Sequence, residues 1–184
     1  MVIVVGCDPS SAKLAFCATP PDDSLHPQMW TKALGKNPPS ACAAAYAEIE
    51  RIVTVQYVDM DVHLYIERPI VARGHGPGSS FPQVRVNGAI HAACGKLDVF
   101  IQEIDQASWK KHIAGRANIP KDAIATAVLQ AWPRAYDAAR GDKDLYDAAG
   151  INSFARWIER AAAAGVVVTP TLRKKVQQRK AQTT

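Results

Sequence analysis

The opening of the chain constrains the fold most. Val2-Ile-Val-Val-Gly-Cys7 is an uncharged, β-branched run that ends at Asp8-Pro9-Ser10-Ser11. A short, continuous apolar run predicts a strand buried on both faces, which requires helices above and below a sheet. Asp8–Ser11 reads as a tight turn, and Ala12–Thr19 as a second strand hairpinned to the first. Pro20-Pro-Asp-Asp23 is turn chemistry, and Gln28–Leu34 is a third strand. Asn37-Pro-Pro-Ser40 opens an Ala-rich helix over Ser40–Gln56 with Ala44, Ile49, Ile52 and Val53 inward, and Val62–Ile66 is a short strong strand. Beyond a Gly-rich loop, Gly74–Ser80, come a helix Pro82–Lys96, a strand Val99–Ile104 and a helix Gln106–Ala114. A helix from Pro120 to Trp132, a loop Pro133–Asp142 and a last helix Lys143–Ala164, stopped at Gly165, complete the pattern. Three antiparallel strands therefore lead into two that follow helical crossovers. The expectation is an α/β fold with a mixed five-stranded sheet flanked by helices.

The 184 residues suit one domain over 1–165 and a tail over 166–184. With 48% hydrophobic and 21% charged residues, wholesale disorder and a coiled coil are excluded. No apolar run approaches the roughly 20 residues of a membrane span. The first residues lack the basic region and cleavage site of a signal peptide. Cys7, Cys17, Cys42 and Cys94 offer no Cys-x-x-Cys clip and read as small buried hydrophobes kept reduced, which points to the cytoplasm.

The net charge of +5 is a property of the tail. Arg173, Lys174, Lys175, Arg179 and Lys180 lie in the last fourteen residues, which carry no acid, and residues 1–170 hold seventeen bases against seventeen acids. Such a tail is too polar to pack and suits phosphate tracking or solubility. Two acid-free basic stretches interrupt the neutral body. One holds Arg68, Arg73 and Arg85; the other holds Lys110, Lys111, Arg116 and Lys121. They read either as two contacts on a polyanion or as solvated loops. His75 and His112 in these stretches suit solvent or phosphate contact better than acid catalysis.

Four acids stand at chemically useful places. Asp8 ends the first strand, Glu67 follows the strand Val62–Ile66, and Asp144 and Asp147 begin the last helix. Each alone has an ordinary explanation: turn chemistry for Asp8, solvent or a pairing with Arg68 for Glu67, and the helix dipole for the last two. Together they carry more. The first and fourth strands are neighbours in this topology, and an i, i+3 spacing places Asp144 and Asp147 on one helical face. Converging carboxylates repel unless cations separate them. Hard oxygen ligands without paired Cys or His suit Mg²⁺ or Mn²⁺. Two such ions about 3.5–4 Å apart suit phosphodiester cleavage.

These residues resemble those of RuvC-type Holliday junction resolvases, which have an RNase H-like fold, and the chain looks like a compact phage version. The resemblance spans about residues 2–160. It rests on Val-Ile-Val-Val-Gly-Cys-Asp8-Pro-Ser-Ser, Leu-Tyr-Ile-Glu67, Trp109-Lys110-Lys-His-Ile-Ala-Gly115, Pro120-Lys121 and Asp144-Leu-Tyr-Asp147-Ala-Ala. It implies that Asp8, Glu67, Asp144 and Asp147 hold two metal ions per active site. It also implies that Lys110 and Lys121, spaced as the family's lysine pair, grip phosphate beside them. The implied activity is paired nicking of branched DNA, four-way junctions first with forks and flaps as further candidates, leaving a 5′-phosphate and a 3′-hydroxyl. Arg68, Arg73, Arg85, Lys111 and Arg116 are the accompanying DNA-contact candidates. Ser10 and Ala15 depart from glycines of the family pattern. Ile70 stands where the family often has a base-stacking aromatic, leaving Phe81 as its nearest substitute.

Two scissile strands call for two active sites, and the resemblance implies a two-fold dimer. The helix 82–96 suits it, because Gly88, Ala89, Ala92 and Ala93 permit close approach, with Cys94 a candidate to face its own copy. Two other readings remain open: an RNase H-like nuclease acting on RNA–DNA hybrids, and a catalytically silent branched-DNA binder.

Overall fold

The computed structural model describes residues 1–22, 25–69 and 77–166. Arg73, His75, Ile70 and the basic tail beyond residue 166 lie outside the described residues. Five strands, β1 (Val2–Pro9), β2 (Lys13–Thr19), β3 (Gln28–Ala33), β4 (Asp61–Glu67) and β5 (Phe100–Ile104), form one sheet in the order β3-β2-β1-β4-β5. β1 pairs antiparallel with β2 and parallel with β4; β2 with β3 is antiparallel and β4 with β5 parallel. This is the mixed five-stranded sheet that the strand pattern predicts.

The β1 run is buried on both faces. Its odd residues Ile3, Val5 and Cys7 pack with Phe16, Leu64 and Ile66 under α1 (Pro38–Arg51), the π-type turn Ile52–Gln56 that extends it, and α2 (Pro77–Leu97). On the other face Val4, Ala15, Cys17 and Tyr65 pack under α3 (Gln106–Ala114), α4 (Lys121–Ala131), α5 (Pro133–Ala139) and α6 (Lys143–Ala163). Each fully buried Leu or Ile contributes roughly 1.5–3 kcal/mol. The period of two puts Asp8 on the face of Val4 and Gly6, and Glu67 on the face of Tyr65. Both acids therefore leave the sheet toward α3 and α6.

α6 lies unusually close to β1. A Cβ on Gly6 would stand 2.5 Å from the Asn152 nitrogen and 2.7 Å from the Ala148 oxygen, so only glycine permits this approach. Buried Asn152 fastens the contact: its Nδ2 donates to the carbonyls of Val4 and Cys17, and its Oδ1 accepts from Thr19 Oγ1. Asp144, Ala148 and Asn152 fall at i, i+4 and i+8 on one stripe, so the seating of Ala148 and Asn152 fixes where Asp144 lands.

Three sequence expectations change. The span Pro133–Asp142 is not all loop: Pro133–Ala139 is α5, with Pro133 in the first turn, where its missing N–H costs nothing. α2 begins at Pro77, so the last four residues of the Gly-rich stretch are helical and Pro82 lies inside the helix. Cys94 is fully buried against its own subunit's core, beside Val5 and Cys7, and cannot meet a second Cys94.

Candidate metal centre at the ends of the central strands

Asp8 and Glu67 project from adjacent parallel strands, because Cys7 is in register with Ile66. Opposite them, Asp142 caps α6, accepting from the backbone nitrogens of Asp144 and Leu145; Asp144 lies in the first turn of the helix and Asp147 just beyond it. One carboxylate oxygen from each of Asp8, Asp144 and Asp147 lies within 4.8 Å of the others. Glu67 is not part of that trio. Its Oε2 accepts from the indole Nε1 of buried Trp109 at 2.9 Å, and its Oε1 from Gln106 Nε2 at 3.0 Å. Trp109 is seated there because a Cβ on Gly150 would stand 2.7 Å from its ring.

The electrostatics of the four acids differ. Burial, and then the charges of Glu67, Asp147 and Asp144, push Asp8 up to about 8. Burial pushes Asp147 up to about 6 against the pull of Lys121 and Lys110. Burial also raises Glu67, although Trp109 and Gln106 oppose it. Asp144 goes the other way. Burial works to raise it, but Lys13 and Lys121 overrule that and hold it below the usual carboxylate range.

Lys121 Nζ stands 2.9 Å from Asp144 and 3.7 Å from Asp147. Lys110 packs over the Trp109 ring at 5.4 Å and lowers the pKa of both Glu67 and Asp147. Both lysines thus flank the acids. Lys111 and Arg116 are exposed, and Arg85 is exposed on α2. Arg68 does not pair with Glu67; its Nε donates to Glu103 at 3.1 Å. His112 lies against Phe154 and Trp157, and burial lowers its pKa. Phe81 is exposed near the start of α2.

The residues fit a divalent cation. Asp147 Oδ1 is buried and has no hydrogen-bond partner among the described residues, an expensive state for a carboxylate oxygen unless something positive binds it. The surrounding donors are hard oxygens, the ligand chemistry of Mg²⁺ or Mn²⁺. Lys13 and the α6 cap Asp142 both escaped the sequence reading. Lys13 reaches Asp144 at 2.7 Å and Asp142 at 3.3 Å. It stands alone among apolar residues, outside both basic stretches. The alternation of β2 carried a signal, since Lys13 shares its face with Ala15 and Cys17.

A mixed five-stranded sheet in the order β3-β2-β1-β4-β5, covered by helices on both faces, is an α/β fold of the RNase H-like kind. Within it, the chain has the fold of RuvC. It is similar to a Thermus thermophilus RuvC structure with a TM-score of 0.64 and 16% identity, over 87% of this chain and 96% of that one. It is also similar to T. thermophilus RuvC in complex with a Holliday junction substrate, with a TM-score of 0.68 and 16% identity, over 88% and 97% of the two chains. No protein-family model matches the chain, and no curated protein matches it in sequence.

Proposed function

We propose that this protein is a divalent-cation-dependent endonuclease that nicks branched DNA, four-way junctions above all. The observation that carries the reading is the trio Asp8, Asp144 and Asp147, with its orphaned Asp147 oxygen, in a RuvC fold. Bound cations would be held by Asp8, Asp144 and Asp147, with Glu67 close by. They would supply Lewis-acid activation of water and stabilisation of the leaving oxygen. Trp109 and Gln106 hold the Glu67 carboxylate in one orientation, and Asp142 holds the helix turn bearing the other two acids. Lys121 and Lys110 offset charge at the acids and are placed to meet a scissile phosphate. Arg85, Lys111 and Arg116 offer backbone contacts, which position DNA without reading its sequence.

A homodimer through α2 supports paired nicking. Its outward face carries Phe81, Val84, Gly88 and Ala92, and a Cβ on Gly88 would meet nothing within 4 Å among the described residues. The same helix is tied to both acid-bearing strands, because Gln83 Nε2 donates to the Pro9 carbonyl and Asn87 Nδ2 to that of Glu67. Among the described residues no helix is long and apolar enough to cross a membrane. The cytoplasm, that of a bacterial host if the chain is phage-encoded, is the fitting place for such an enzyme.

The test is a panel of end-labelled four-way junctions, forks, flaps, linear duplex and RNA–DNA hybrid, incubated with Mg²⁺. Symmetric nicks in junctions are expected. Preferential cutting of the hybrid, or tight junction binding with no cutting in Mg²⁺ or Mn²⁺, overturns the reading.

A further inference from the structure

Lys13 is built into the rim of the centre beside the acids. It opens β2 directly after the Asp8–Ser11 turn, and Ser10 fixes its backbone at both ends. Ser10 Oγ accepts from the Lys13 nitrogen at 2.9 Å and donates to the Lys13 carbonyl at 2.7 Å, and the Ser10 nitrogen donates to that carbonyl at 2.9 Å. The alternation of β2 then sends the side chain toward α6. There its ammonium stands 2.7 Å from Asp144 Oδ2, while Lys121 stands 2.9 Å from Asp144 Oδ1. Both oxygens of Asp144 are thus held by ammonium groups. Asp142, the other contact of Lys13 at 3.3 Å, is also engaged in capping α6.

The other side of the centre is different. Asp147 Oδ1 is buried without a partner, and no lysine contacts Asp8 within 4 Å among the described residues. With Asp142 the five acids carry five negative charges when ionised, and Lys13, Lys110 and Lys121 return three. One divalent cation therefore brings the set to neutrality, and a second would overcharge it until an anionic phosphodiester arrives.

We propose that Lys13, held by Ser10, is a positioning residue for Asp144 that makes the centre unequal toward cations: one ion enters readily at Asp8 and Asp147, and a second must first displace a lysine from Asp144. This rests on the nuclease reading for the presence of metal but concerns binding rather than turnover. The consequence is that the DNA-free protein holds one ion tightly, and the second gains affinity when substrate phosphate supplies the missing negative charge.

The experiment is titration of the full chain with Mn²⁺ in the absence of DNA, followed by the electron paramagnetic resonance signal of free Mn²⁺. The wild type is expected to show one tight site and a second at least about tenfold weaker, the scale on which residues behind metal ligands alter affinity. In Lys13→Met the second site should strengthen until the gap is below about threefold. Lys13→Arg, which restores the charge, should recover the gap, a rescue that a packing role would not produce. Ser10→Ala, a milder change that removes three of the turn's bonds, should narrow the gap partway. Two equal sites in the wild type, or an unchanged gap in both Lys13→Met and Ser10→Ala, would overturn the inference while leaving the nuclease reading intact. No Mn²⁺ binding by the wild type would overturn the metal centre itself, and this inference with it.

Discussion

β4 and α6 meet at two acid clusters, one at each end, and the two are built on opposite principles. At the far end, Glu159 Oε1 accepts from Tyr65 OH at 2.6 Å and from His63 Nδ1 at 2.5 Å, while the other ring nitrogen of His63 faces Asp61 at 3.3 Å. The protein itself supplies every donor that Glu159 Oε1 needs, and Phe100 covers the cluster by packing on both His63 and Tyr65. At the near end, Asp8, Glu67 and Asp147 are all raised by burial, and one Asp147 oxygen has no partner among the described residues. A satisfied cluster holds two elements together. An unsatisfied one stores repulsion that an external cation relieves. The presence of acids in both places therefore says little; the supply of donors separates structure from chemistry.

The largest effect expected from breaking this contrast is at Asp147. Asp147→Asn keeps the shape but removes a ligand charge, so single-turnover nicking should fall by at least about a hundredfold while junction binding stays close to wild type. Measuring both at saturating enzyme separates them, and a loss of binding with intact cleavage per complex would place Asp147 outside the chemistry.

Glu159→Gln probes the opposite end. It should cost about 1.5–3 kcal/mol of unfolding free energy, read by urea denaturation, because it weakens charged hydrogen bonds to Tyr65 and His63. The nicking rate of the folded protein should not change. A cleavage defect without a stability defect would mean that the far cluster is not merely structural.

Lys121→Ala comes next, with a single-turnover rate lowered about tenfold and a smaller loss of binding. If binding alone weakens, with a flatter dependence on salt, Lys121 is an ordinary phosphate contact.

The smallest effect is on stability against pH. The folded-state values of Asp8, about 8, and Asp147, about 6, lie above those of an unfolded carboxyl. The folded state therefore binds more protons between pH 4 and 8, and stability of the metal-free protein should fall as pH rises across that window. Differential scanning calorimetry should show a decline in the melting temperature of the metal-free protein across that window. Asp8→Asn should flatten it, and Mg²⁺ should raise the melting temperature more at pH 8 than at pH 5. A rising profile without metal would contradict the unequal clusters.

Much of this was legible from local pattern. The β-branched run Val2–Cys7 specified a strand buried on both faces, and its alternation placed Asp8 on the same side as Gly6. The i, i+3 spacing of Asp144 and Asp147 put both on the turn that faces Asp8. Local rules also erred locally: Pro82 read as a helix start lies inside α2, and the turn-rich Pro133–Asp142 hides α5. What sequence could not carry were the pairings across long separations. Lys13 meets Asp142 across 129 residues, and Trp109 meets Glu67 across 42. Those contacts depend on how closely α6 and α3 seat on the sheet, which Gly6, Gly150 and Asn152 decide together. Residue type and spacing determined which acids could gather. Only the packed structure decided which of their oxygens were already satisfied, because desolvation and donor supply belong to the surroundings of a group and not to its place in the chain.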